Sequence, residues 1–225
     1  MKNSKCIDKT PLIAYWILPI FRKKMKGSGY ERDSYHHGNL KESLLKEGLS
    51  CLKEHGEKGL SFREIAKRCK VSSAAPYAHF ANKEDFIESL REEIMKELTL
   101  CLKTSADKHR RSKMIIAEMG VAYVLFFLQR PNYFSLFFKQ SRHIEAILWE
   151  EEEITDHAFL ILKEEALPIF RMMGMDESKQ KNLLLSLWIQ AHGLAAVTSL
   201  PEISTRLLKE DYEKRIRTIL TGGIL

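Results

Sequence analysis

Leu40, Leu44, Leu45, Leu49 and Leu52 recur at intervals of three and four residues, which places them on one stripe of an amphipathic helix. His55-Gly56 followed by Lys58-Gly59 supplies its stop. A shorter apolar set, Phe62, Ile65, Ala66 and Cys69, marks the inner side of a second helix. A third is expected to start near Ser72 or Ser73; with Ser73 as its cap, Pro76 falls at the third helical position, where no backbone hydrogen bond is lost. Further on, helical periodicity predicts helices over 82–104, 112–130, 132–140, 143–167, 177–199 and 202–220, the last with Ile203, Leu207, Leu208, Tyr212, Ile216 and Ile219 on one face. No alternating strand pattern accompanies them, so the expected fold class is all-α.

Helix starts carry their own chemistry. Asn39 before Glu42, Ser61 before Glu64 and Asn82 before Asp85 each set a capping side chain three positions ahead of a carboxylate. Three starts before residue 90, with a short helix, a tight break and a second short helix in the middle, match the geometry of a helix-turn-helix. The expected organisation is an N-terminal extension over 1–29, a three-helix DNA-binding domain over 30–90 and a larger helical domain over 91–225.

Charge sharpens this reading. Residues 1–70 hold 16 Lys and Arg against 8 Asp and Glu, while residues 71–225 hold 20 against 22. The basic excess is N-terminal and points that end at a polyanion, nucleic acid or an anionic membrane. The apolar run LIAYWILPIF, residues 12–21, is interrupted by Pro19 and is far short of the ~20 residues a spanning helix needs. No small-residue cleavage site follows it, so export is not expected. Met25, preceded by Arg22-Lys23-Lys24, is a candidate native start, which would leave residues 1–24 untranslated.

Cys6, Cys51, Cys69 and Cys101 form no CxxC pair, and reduced thiols in a cytoplasmic protein are the expected state. The eight histidines are scattered, His36 and His37 are adjacent rather than at helical spacing, and no HExxH, GxSxG or glycine-rich phosphate loop is present. Neither an enzyme, a metal site nor a cofactor is expected.

Tyr77, His79 and Lys83 place a hydroxyl, an imidazole and an ammonium within reach of phosphate oxygens, while Ser72, Ser73, Ala74 and Ala75 at the tip face base edges. Ser61 and Arg63 join them from the preceding helix start. Because the tip carries no arginine fork for guanine, specificity is expected to rest on thymine methyls, on DNA shape and on Arg63 or Lys67. Phe80 and Ala66 are expected to pack the two short helices together.

From about Tyr35 to Leu90, the run GNLKESLLKEGLSCLKEHGEKGLSFREIAKRCKVSSAAPYAHFANKEDFIESL resembles the DNA-binding domain of TetR-type transcriptional regulators. The likeness rests on IAxxxxVS, on Y-x-H-F and on the following Lys-Glu. It implies that Tyr77, His79 and Lys83 touch phosphates and that Ser72 to Ala75 lie in the major groove. Lys70 departs from the family pattern, which has glycine at this turn, where a left-handed backbone is expected to cost a non-glycine residue about 1 kcal/mol.

LWIQAHGLAAVTSL, residues 187–200, resembles a TetR subgroup with a W-x-x-x-H-G signature, matched at Trp188, His192 and Gly193. As a helix apolar on nearly every side, it is expected to be buried all round. The resemblance implies a homodimer built from the last two helices, with Trp188, Ala191, Ala195, Leu207, Tyr212 and Ile216 as interface candidates. Tyr123, Phe126, Phe127, Phe137, Trp149, Trp188 and His192 are candidates for lining an effector pocket, although aromatics at helical spacing more often form plain core. The expected function is a palindrome-binding repressor released by a small molecule of unknown identity. The alternatives are a nonspecific DNA-binding protein and a membrane-associated helical protein anchored by residues 12–21.

Overall fold

The computed structural model describes residues 40–138, 157–207 and 212–222, and every described element is helical. Helix α1, Leu40–His55, buries Leu44, Leu45, Gly48, Cys51 and Leu52. Gly48 admits Phe86 against the helix backbone, since a Cβ there would stand 2.5 Å from the Phe86 ring. A 3₁₀ turn at Glu57–Gly59 leads to α2, Phe62–Arg68, which buries Ile65 and Ala66.

The third short helix differs from expectation. Ser73 does not cap an α-helix; instead a 3₁₀ turn spans Ala75–Ala78, with Pro76 among its first residues. Ala75 N–H bonds Ser72 O at 3.0 Å, Tyr77 N–H bonds Ala74 O at 3.1 Å, and the N–H groups of His79 and Phe80 share Pro76 O at 3.0 Å. Three of these bonds close tighter three-residue turns, and only the Phe80 N–H reaches back four residues, so the segment is wound more tightly than an α-helix.

The next helix, α3, runs Lys83–His109, about 40 Å at 1.5 Å per residue, longer than expected at its C-terminus. Phe86, Leu90, Ile94, Leu98, Leu102 and Ala106 form its buried stripe at strict four-residue spacing. The division expected between residues 90 and 91 falls inside this helix. Its start is built as expected, with Asn82 Oδ1 accepting from Asp85 N–H at 2.8 Å. Asp85 Oδ2 in turn accepts from Ala81 N–H at 2.9 Å. Ser61 occupies the N-cap of α2 in extended backbone but makes no side-chain cap bond, and Asn39 lies outside the described residues.

Helix α4, Ile115–Leu128, is buried over most of its circumference and packs on α3. Helix α5, Pro131–Phe137, adds an aromatic layer and contacts both α1 and α3. Asn132 Nδ2 donates to Lys53 O at 3.2 Å, and Arg91 Nε donates to Leu136 O at 3.1 Å. Helices α6, His157–Met172, and α7, Glu177–Thr198, close the layer around α4.

Where one helix was expected over 202–220, two are observed: α8, Pro201–Leu207, and α9, Glu213–Leu220. Helix α7 is not buried all round either: Leu184, Trp188, Ala191, Ala195 and Thr198 form its one buried face. Among the described residues no helix is long and apolar enough to cross a membrane; the run 12–21 lies outside them.

Candidate nucleic-acid interface and effector region

Between α2 and the 3₁₀ turn the chain reverses over Lys70, whose φ of 56° is the left-handed conformation expected from sequence. Lys70 N–H bonds Lys67 O at 3.1 Å and Val71 N–H bonds Ala66 O at 3.0 Å, the paired closing bonds of a Schellman motif. This turn sets the angle at which the Ser72–Ala78 segment leaves α2. Phe62, Phe80 and Phe86 lock it from beneath, with ring centroids 4.9 to 6.3 Å apart. Phe80 and Ala66 are each 1% exposed, as their expected packing role requires.

On the outer side the polar groups converge. Tyr77 is 62% exposed although its ring packs edge-to-face with Phe62, centroids 5.0 Å apart, so an exposed ring rests on a fixed support. His79 is half-buried, and Ser72, Ser73, Ala74 and Lys83 are exposed while Ala75 is half-buried. Ser61, Arg63, Glu64, Lys67, Val71 and Ser73 line an open groove beside them. Lys41, which sequence reasoning missed, belongs to the same surface: its ammonium lies 5.5 Å from the Phe80 ring centroid. Its only sequence signal was a lysine at the start of α1.

Arg68 is committed elsewhere. Its guanidinium donates to both Glu54 carboxylate oxygens, at 2.9 and 3.2 Å, and to Glu64 at 3.4 Å, tying α2 to α1. These bonds hold the Glu54 carboxyl down to about 2. Exposed cations of this region include Lys41, Arg63, Lys67, Lys70 and Lys83.

In the large helical region, Tyr123, Phe127, Trp188 and His192 come together. Tyr123 stands 5.2 Å from both the Phe127 and Trp188 ring centroids, and its hydroxyl is 3.2 Å from His192 Nδ1. Phe134 and Phe138 flank the imidazole at 5.6 and 4.0 Å. Burial lowers the His192 pKa to about 4, so the ring is neutral at physiological pH. Phe126 and Phe137 are buried beside Phe127 rather than beside His192. Trp149 lies outside the described residues.

A cavity of about 40 Å³ opens next to this cluster. Tyr123 and Trp188 line it, but Phe126, Phe127, Phe137 and His192 do not. Leu102, Ile116, Leu162 and Leu220, drawn from four other positions in the fold, complete its wall, and nothing in their spacing could have singled them out. Among the described residues no group of three His, Cys, Asp or Glu could hold a metal ion.

The interface candidates are placed as follows. Trp188, Ala191, Ala195 and Ile216 are 0 to 6% exposed and packed inside the protomer. Tyr212 is half-buried, and the Leu207 side chain lies outside the described set. The opposite face of α7 exposes Ile189 at 52%, Val197 at 50% and, just past its end, Leu200 at 49%. Gly193 sits between them, with nothing within 4 Å of the place a Cβ would occupy.

Residues 44–90 match the sequence model of a family described as bacterial regulatory proteins, tetR family. No curated protein matches the chain. Solved structures share the fold. A protein of unknown function from Rhodococcus sp. RHA1 is 22% identical with a TM-score of 0.56, over 85% of this chain and 98% of that one. The TetR family transcriptional regulator PfmR from Thermus thermophilus is 15% identical with a TM-score of 0.51, over 81% and 98%. A possible TetR family transcriptional regulator from Streptomyces coelicolor A3(2) is 15% identical with a TM-score of 0.50, over 81% and 97%.

Proposed function

We propose that this chain, a TetR-type DNA-binding transcriptional regulator by the family that its residues 44–90 match, is a homodimeric repressor released from a palindromic operator by a small-molecule ligand. The observation that carries the DNA-contact reading is the exposed Tyr77 ring, held on Phe62 at the tip of a segment ringed by Lys41, Arg63, Lys67, Lys70 and Lys83. Tyr77, His79 and Lys83 bind phosphates, and Ser72 to Ala75 meet base edges with Ser61 and Arg63 beside them.

Dimerisation is supported by α7. A helix this apolar that exposes Ile189, Val197 and Leu200 on one face has a second surface to cover, and a two-fold pairing of α7 with its copy covers it. Two recognition segments then read half-sites about 34–36 Å apart or a multiple of that. The path from effector region to DNA runs through α5, whose Phe134 packs on His192 while Asn132 holds the end of α1 and Leu136 holds Arg91 of α3. A ligand that favours one setting of α5 shifts operator affinity by its differential binding, typically about 1–3 kcal/mol.

The test is fluorescence anisotropy on DNA from upstream of the protein's own gene, against scrambled DNA, at several salt concentrations. The expected preference is ~10³-fold or more. Tyr77→Ala, which removes a charge-assisted hydrogen bond, is expected to weaken binding about tenfold or more without loss of fold. Equal affinity for random-sequence DNA of every composition, with a steep salt slope, would establish the nonspecific alternative instead.

A further inference from the structure

The cavity between α3, α4, α6, α7 and α9 has a wall of one chemical character. Leu102, Ile116, Met119, Leu162 and Leu187 supply much of it, and among the described residues no charged side chain lines it. The polar atoms available are the Tyr123 hydroxyl, already paired with His192, the Gln190 amide and the Trp188 indole N–H. A ligand carrying a full charge would find no counter-ion among the described residues, which leave its desolvation uncompensated.

At about 40 Å³ the space is far below the ~300–1,000 Å³ of small-molecule pockets, so a ligand fits only if a wall moves. The shortest wall is α9. This eight-residue helix buries one side chain, Ile216, and closes the cavity with Leu220. Leu220 rests on Gly120, where an added Cβ would stand 3.1 Å from Leu220 Cδ1. Two residues before Gly120, Glu118 accepts from Arg217 Nε at 2.7 Å and from Arg217 Nη2 at 3.0 Å, and the same guanidinium holds Glu213 at 2.9 Å. The fork between Arg217 and Glu118 is the polar tie that keeps α9 down on α4.

Building on the ligand-responsive reading above, we propose that this cavity is the effector site. It takes an uncharged, largely apolar small molecule, with at most one hydroxyl or carbonyl, and α9 is its lid, latched by Arg217–Glu118. The effector displaces Leu220 and seats against Trp188 and Tyr123. Opening the latch is part of the binding equilibrium, so weakening the latch tightens binding.

The experiment uses the full chain with 1-octanol and octanoate at pH 8 as probes, read by thermal-unfolding midpoint and tryptophan fluorescence. Octanol is expected to raise the midpoint saturably and octanoate is not. Ala117→Leu, which fills the cavity from α4, is expected to cut octanol affinity at least tenfold. Glu118→Gln is expected to improve it by up to about fivefold. Octanoate binding as tightly as octanol, no saturable octanol binding, or octanol affinity indifferent to both variants would each overturn the proposal. The same samples are assayed on DNA from upstream of the gene. Octanol binding without DNA release keeps the site and removes the ligand-released reading; DNA release by a charged compound, with no octanol bound, keeps that reading and removes the site.

Discussion

Lys70→Gly offers a measurable gain at the turn that aims the DNA-contacting segment. The chain contains its own control. Helix α6 ends in the same pair of bonds, Gly174 N–H to Arg171 O at 3.0 Å and Met175 N–H to Phe170 O at 3.1 Å, and there the left-handed position is Gly174 at φ 72°. At the end of α2 the equivalent residue is lysine at φ 56°. A left-handed backbone costs a residue with a Cβ roughly 1–2 kcal/mol, and glycine returns part of that through greater freedom in the unfolded chain, about 0.5–1 kcal/mol. The net expectation is a stabilisation of about 0.5–1 kcal/mol, which for a chain of this size raises the midpoint by roughly 2–4 °C or less. Lys70 is exposed and makes no hydrogen bond among the described residues through its side chain that would offset this. Urea and thermal unfolding of wild type, Lys70→Gly and Lys70→Ala separate the terms. Alanine keeps the strain and removes the charge, so it is expected to match wild type, while glycine exceeds both. Glycine no more stable than alanine would refute the strain argument.

Three further outcomes are expected. Asn82→Ala removes the side-chain cap on Asp85 N–H and is expected to cost about 1 kcal/mol in urea unfolding, with Asn82→Ser recovering most of it. His192 is neutral in the folded protein with its pKa near 4 against about 6.5 unfolded. Its contribution to stability is therefore complete above about pH 6.5 and lost as pH falls toward about 4, by at most about 3 kcal/mol, less where water reaches the ring. Unfolding midpoints of wild type and His192→Gln across pH 4 to 8 should converge toward the acid end, and parallel profiles would contradict this. Ile189→Glu combined with Val197→Glu places carboxylates on the exposed face of α7 and is expected to shift the protein to a monomer by sedimentation while Trp188 stays buried; an unchanged dimer would move the interface off that face.

Local chemistry was legible in the sequence where one residue type has one physical use. The Asn82 cap and the left-handed turn at Lys70 follow from short-range rules, since each depends on partners within a few positions. Contacts between distant segments were decided by the tertiary structure. The residues after Ser73 form a 3₁₀ turn rather than the α-helix that local capping signals suggested. An apolar helix such as α7 offers several possible inner faces, and packing on α4 selected Trp188, Ala191 and Ala195 for the core and left Ile189 and Val197 outside. The cavity is the extreme case. Leu102, Ile116, Leu162 and Leu220 read as ordinary core in sequence, because a void is a property of how five helices fail to meet and no single segment encodes it.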